Sequence, residues 1–224
     1  FKKHIFSVSY SYTSIADSVI DKKYNSNYFK DSVSSKGILE LSYILQYANV
    51  NNNSYPLTGK TWFVTLQKRG LGFTGGVNMF SVEAGYNTYF NLGKNWYSSI
   101  QMNGKIKLPF DQAYINQRGL GYGENYLRGL EYYVIDGVAT ALAKATLKKK
   151  IISFNLPFPF LPKLLTKIPF TFYAKTYADL GYAYTKDIYK TNLNNRLLYS
   201  GGFGIDILTL YDINLRFEYS FNQL

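Results

Sequence analysis

Five carboxylates, Glu40, Glu83, Asp179, Asp206 and Glu218, each stand in a run that alternates apolar with polar residues. Lys105, Lys107, Lys144 and Arg216 occupy the same kind of polar position. Carboxylates facing cations could host acid–base chemistry; more often such groups pair with one another across neighbouring strands. The remaining requirements of catalysis are thin. The single histidine, His4, cannot build a metal cluster or a triad, and the absence of cysteine removes thiolate metal sites and disulfides. Gly119-x-Gly121-x-Gly123 lacks the Lys-Ser/Thr pair and the helix of a phosphate cradle. No Gly-x-Ser-x-Gly occurs. The sequence therefore predicts no catalytic residue, no metal and no cofactor, but charged pairs on a wet surface.

The elements that must position those charges are strands. In Asp212–Phe221, Ile213, Leu215, Phe217, Tyr219 and Phe221 alternate with Asp212, Asn214, Arg216, Glu218 and Ser220. Successive side chains of a strand point to opposite faces, so this strand has one apolar, aromatic face and one charged face. About nine such segments follow one another, near His4–Thr13, Lys36–Ala48, Lys60–Arg69, Met79–Asn91, Trp96–Leu108, Gly137–Ile151, Phe170–Tyr184, Leu197–Leu208 and Asp212–Phe221. A polar loop over Ala16–Ser35, an Asn/Pro/Gly turn over Asn51–Gly59, a tight turn at Leu92–Asn95 and a Pro-rich turn after Ile151 punctuate them. No helical period competes.

Aromatic residues make up 18% of the 224 residues, yet mean hydropathy is only −0.17. Strands that are half lipid-facing and half water-facing reconcile the two values. No run of about 18 or more apolar residues exists, which excludes a helical membrane span, and Pro157, Pro159, Pro162 and Pro169 interrupt the most apolar stretch. An open two-faced sheet would expose edges and an apolar face, whereas in lipid a closed barrel satisfies the backbone. The fold expected is all-β: an antiparallel transmembrane β-barrel. Because about nine strands is an odd number, it is read as part of a larger barrel with strands missing at both ends. The net charge of +11 has two readings, solvated lysines on loops and rims, or attraction to anionic lipid head groups or a charged lumen. Beyond Lys148-Lys149-Lys150 there is no dense basic stripe, and no nucleic-acid partner is expected. No signal peptide precedes the first strand, so the chain is expected to be a piece of a longer precursor.

The longest connection, Pro109 to about Asp136, carries Tyr126-Leu127-Arg128-Gly129-Leu130-Glu131. Connections this long in a compact β protein are usually functional or disordered. Followed by a strand, this segment resembles the inward-folded loop of the BamA/TamA bacterial surface antigen barrels, whose motif is an aliphatic residue, Arg, Gly, then Phe or Tyr. Leu130 stands in the aromatic slot. Ala178-Asp179-Leu180-Gly181 is similar to the Asp-x-Gly strand that follows the loop in that family, and Tyr55-Pro56-Leu57-Thr58-Gly59-Lys60 is similar to its Pro-x-x-Gly approach to a strand. The slot for a second acid, on the strand just after the loop, holds Lys148. The resemblance covers most of the chain.

That resemblance implies a functional loop motif at Leu127, Arg128, Gly129 and Leu130, anchored on the barrel wall at Asp179 and Gly181. Arg128 would reach Asp179. A planar guanidinium binds a carboxylate with two parallel hydrogen bonds, and Asp179 falls on the wet face, so geometry permits the pair at about 1–3 kcal/mol for a partly solvated contact. The other reading of Arg128 is a solvated loop position. The resemblance further implies one partial barrel domain over residues 1–224, with POTRA domains upstream and the final strand both absent. It implies a bacterial, Gram-negative outer-membrane location, and the non-enzymatic assembly and insertion of other outer-membrane proteins. The partners implied are outer-membrane lipids, unfolded outer-membrane client proteins and accessory lipoproteins. Two alternatives stand beside it: a two-partner secretion transporter, and a porin or anchor barrel for an upstream lipase domain.

Overall fold

The computed structural model describes residues 1–20, 25, 27–31, 33–70, 77–157, 167–186 and 191–224. Among the described residues nine strands follow in order: β1 (Lys2–Ser14), β2 (Ser35–Val50), β3 (Gly59–Arg69), β4 (Met79–Gly93), β5 (Trp96–Leu108), β6 (Ala139–Pro157), β7 (Lys167–Tyr184), β8 (Leu197–Leu208) and β9 (Asn214–Asn222). They form one sheet in sequence order, and every neighbouring pair is antiparallel. One short helix, α1 (Asp17–Ile20), interrupts the first connection. β1 and β9 are the two edges, and the sheet is not closed. Tyr55, in the turn between β2 and β3, hydrogen-bonds Asp206 on β8. Strands lie roughly 4.8 Å apart, so a flat sheet would hold those elements far beyond reach. The sheet is curled into the wall of a barrel, with a concave lumen face and a convex outer face.

The two faces invert the pattern of a water-soluble protein. On β7 the outward Leu180 is 49% exposed while the neighbouring inward Asp179 is 1% exposed, and on β8 Ile205 and Asp206 repeat the contrast at 49% and 1%. Burial normally favours the apolar member of such a pair. Alternation with period two puts Lys175, Asp179, Ser200 and Asp206 inside because Ala178, Leu180, Phe203 and Ile205 must then point out.

The connections also segregate. β1, β3, β5 and β7 all end on one side of the sheet, and in sequence the connections that follow them span 15–34, 70–78, 109–138 and 185–196; β2, β4, β6 and β8 end on the other, followed in sequence by 51–58, 94–95, 158–166 and 209–213. The shortest is a two-residue turn at Lys94 and Asn95, both with positive φ (51° and 66°), the geometry whose twist matches antiparallel strands. We call these the long-loop end and the short-turn end.

β6 and β7 are longer than the alternation suggests, pairing from Ala139↔Tyr184 out to Pro157↔Lys167. The expected stop after Ile151 is corrected by a bulge between Lys150 and Ile152. One extra residue reverses the phase of the strand, so Ile152, Phe154 and Leu156 join Ile168, Phe170 and Phe172 on one face. Phe154 stacks with Phe170 and Phe172 at centroid distances of 5.8 and 6.0 Å. Pro169 is tolerated because the pairing with β8 begins only at Thr171, which leaves its ring on a free edge. The turn expected at Pro159 and Pro162 lies outside the described residues, as do 21–24, 26 and 32 of the first polar loop.

Candidate functional site

The connection between β5 and β6 folds back into the lumen. Its base is held by Lys107, whose Nζ donates to the carbonyls of Asn116, Arg118 and Gly137 at 2.7, 2.6 and 3.1 Å. Lys107 thus satisfies loop backbone rather than a wall carboxylate. Further along, Leu120 and Ile135 bridge the two limbs of the loop. Leu120, Leu127, Leu130 and Ile135 then pack on Leu142 of β6, Ala183 of β7 and Leu198 of β8. The loop therefore brings its own apolar core and meets an apolar patch of the wall. Leu127 and Leu130 are both almost fully buried in it. An added Cβ at Gly181 would lie 2.6 Å from Leu127 Cδ1 and 3.2 Å from Leu120 Cδ1, so Gly181 supplies the space that the loop occupies.

Arg128 follows directly and points at β7. Its backbone N–H and its Nε both donate to Asp179 Oδ2 at 2.9 Å, and Nη2 donates to Asp179 Oδ1 at 2.5 Å. Nη1 donates to Thr146 Oγ1 on β6 at 3.0 Å, and the guanidinium lies 3.9 Å from the centroid of the Tyr177 ring. The Asp179 side chain has no exposed surface and that of Arg128 is 12% exposed. The solvated-loop reading of Arg128 is set aside by these contacts, and the pair is buried more deeply than the partly solvated contact anticipated from sequence. On β6 the hydrogen-bonding partner is Thr146, two residues before Lys148.

Gly129 holds φ at +89°, and a Cβ there would meet Ser220 Cβ at 2.8 Å. Both the backbone conformation and the space restrict that position to glycine. The Gly129 carbonyl accepts from Asn222 Nδ2 at 2.7 Å, and Tyr177 Oη shares a hydrogen bond with Ser220 Oγ at 2.6 Å. On the far wall, Asn125 Nδ2 donates to Glu83 Oε1 at 3.1 Å, where Glu83 also pairs with Lys105 at 3.1 Å. One loop therefore ties β4, β6, β7 and the edge strand β9 together.

A second lumen cluster is entered from the opposite end. The turn between β2 and β3 inserts Tyr55, whose Oη donates to Asp206 Oδ2 at 2.7 Å and whose ring lies 5.2 Å from that of Tyr173 and 3.8 Å from Lys148 Nζ. Asp206 also pairs with Lys175, which bridges to Glu218 at 2.5 Å, and Lys148 stands 3.8 Å from Asp206. Burial first, and then the charge of Asp206 and the hydrogen bond to it, raise the Tyr55 phenol above its ordinary pKa. Between the two inserted loops lies a polar chamber of about 390 Å³, lined in part by Asn53, Tyr126, Arg128, Lys144, Arg216 and Glu218.

Tyr177, Thr146, Asn222, Asn125 and Tyr55 belong to these clusters without having been singled out from the sequence as site residues. The signal for Tyr177 is its register partner Gly202, whose missing Cβ would otherwise lie 2.6 Å from the Tyr177 hydroxyl. Tyr55 carried no local signal, since its partner is 151 residues away. Among the described residues there is no group of three or more His, Cys, Asp or Glu that could hold a metal ion. The arrangement braces the wall and fills the lumen.

No family model matches the chain, and no curated protein matches it. Among solved structures, the crystal structure of BamA from Haemophilus ducreyi lacking POTRA domains 1-3 is similar to it, with a TM-score of 0.60 at 14% sequence identity. The match covers 99% of this chain and 48% of that one, so the chain spans about half the length of the structure it resembles. At that identity the likeness is one of fold: a BamA-like β-barrel wall.

Proposed function

We propose that this chain is wall and plug of an outer-membrane β-barrel that assembles and inserts other outer-membrane proteins. The observation that carries the reading is the loop tethered inside the lumen by Arg128 and Asp179, in a sheet whose convex face is apolar and whose concave face is charged. A lipid-facing wall needs every backbone group paired, which neighbouring strands supply. An incoming strand would pair, by β-augmentation, with an edge opened at the seam of the complete barrel, and form its backbone hydrogen bonds before meeting lipid. In this reading the loop is a brace. Its hydrogen bonds to β7 and to Asn222 of β9 hold that part of the wall in register with the plug. Unfolded outer-membrane proteins are the clients, with accessory lipoproteins as further partners.

The test is depletion of the full-length protein from its host. Outer-membrane proteins of many kinds should then fall together in the membrane fraction and accumulate unfolded. Unchanged levels would overturn the assembly reading, and loss of one exported protein alone would favour a two-partner secretion transporter.

A further inference from the structure

The outer rims of the two ends differ in charge. In sequence the four long connections hold acids and bases in equal number, and Lys30 pairs with Asp111. The four short connections hold a single acid, Asp212. Around that short-turn rim stand Lys2 at the start of β1, Lys60 at the start of β3, Lys94 in the β4–β5 turn and Lys149 on β6, all exposed. Lys60 shares the parity of Trp62 and Val64, and Lys149 that of Leu147, so both project from the convex face. None of the four has an ion-pair partner among the described residues.

Just inside this ring of cations lies an aromatic belt on the same face. Tyr47 and Trp62 stack at 5.7 Å with their planes 17° apart, and Lys149 Nζ lies 5.1 Å from the Trp96 ring. Amphipathic rings favour the boundary between hydrocarbon and water, and lysine stems extend from there to carry the ammonium outward. We propose that the short-turn rim is a binding surface for the head groups of anionic phospholipids in the leaflet on that side. The inference rests on the membrane-wall reading above. A lipid leaflet fits better than a protein partner because the lysines follow the rim from β1 to β6 instead of clustering on one patch. They also continue an apolar face that itself needs lipid. Each lysine near an anionic surface adds attraction that falls off within a Debye length.

The experiment uses the full-length protein reconstituted into phosphatidylcholine vesicles carrying either spin-labelled phosphatidylglycerol or spin-labelled phosphatidylcholine. Electron paramagnetic resonance separates lipid immobilised on the protein from bulk lipid. The phosphatidylglycerol label should be preferred by about threefold. That preference should collapse to parity in K60Q/K94Q/K149Q and in about 1 M salt. It should persist in K60R/K94R/K149R, and in the long-loop control K186Q/R196Q. Equal association of both labels with the unaltered protein overturns the proposal, as does a preference that survives the triple glutamine variant or is abolished by the control. In each of those cases an immobilised lipid component remains. If neither label shows one, it is the membrane wall itself that fails.

Discussion

Arg128 and Asp179 form a pair whose removal one side at a time should be costly. Arg128→Ala leaves a fully buried carboxylate without its fork, and the loss should be about 3 kcal/mol in urea unfolding of the reconstituted protein. Arg128→Lys keeps the charge but not the two parallel bonds, and should recover only part of it. Arg128→Ala combined with Asp179→Asn should lose less than the sum of the single variants by about 1 kcal/mol or more; additive losses would contradict direct coupling. Tyr55→Phe removes one hydrogen bond to a charged group and should cost about 1.5 kcal/mol. Its phenol is raised in the folded state, so its contribution is complete below the unfolded value of about 10 and is lost as pH climbs beyond it. The difference between Tyr55→Phe and the unaltered protein should stay constant up to about pH 10 and shrink above it, as read from unfolding midpoints across that range. The motif Leu127-Arg128-Gly129 was legible through its resemblance to a known family's loop, and the structure puts a guanidinium fork and a glycine at positive φ there. Tyr55 was not, because only the curvature of the sheet brings a turn after β2 to a carboxylate on β8.

The plug and the wall meet through shape as much as charge. Gly181→Val would drive a side chain into Leu127 and Leu120, at a cost of about 1–3 kcal/mol concentrated in the docked loop. Limited proteolysis should then cut within 109–138 in the reconstituted variant, while the strands stay protected; a loop as resistant as before would mean that Gly181 does not set its seat. Most strands were readable from period two alone, and β8 begins and ends where the alternation does, at Leu197 and Leu208. The far halves of β6 and β7 were not, because the bulge beside Ile151 shifts the phase of the alternation by one residue. The apolar seat of the loop was hidden for a related reason. Leu142 and Leu198 occupy lumen-facing positions where alternation leads one to expect polar residues, and only the loop that covers them explains their burial.

At the scale of the molecule, the decisive property is that apolar side chains are turned outward and charges inward on the same strands. In sequence that orientation is read from the residues themselves, aromatics on one face and full charges on the other. Curvature agrees with it: the charged face is the concave one, crossed by Tyr55 and filled by the loop that carries Arg128. Everything proposed for function depends on lipid meeting the convex face. The 224 residues contain no cysteine, so single cysteines can be placed along β4, β5, β7 and β8 without background from this segment. Spin labels at Thr176, Ala178, Leu180, Phe203 and Ile205 in the reconstituted full-length protein should collide with dissolved oxygen and be shielded from a water-soluble nickel chelate. Labels at the inward Asn87, Gln101 and Asn103, which line the lumen chamber, should show the opposite balance, and with labels at the outward Ile100 and Met102 give a period of two residues. Equal chelate access on both sets, or an outward set that favours the chelate, would contradict a wall with lipid on one side and water on the other.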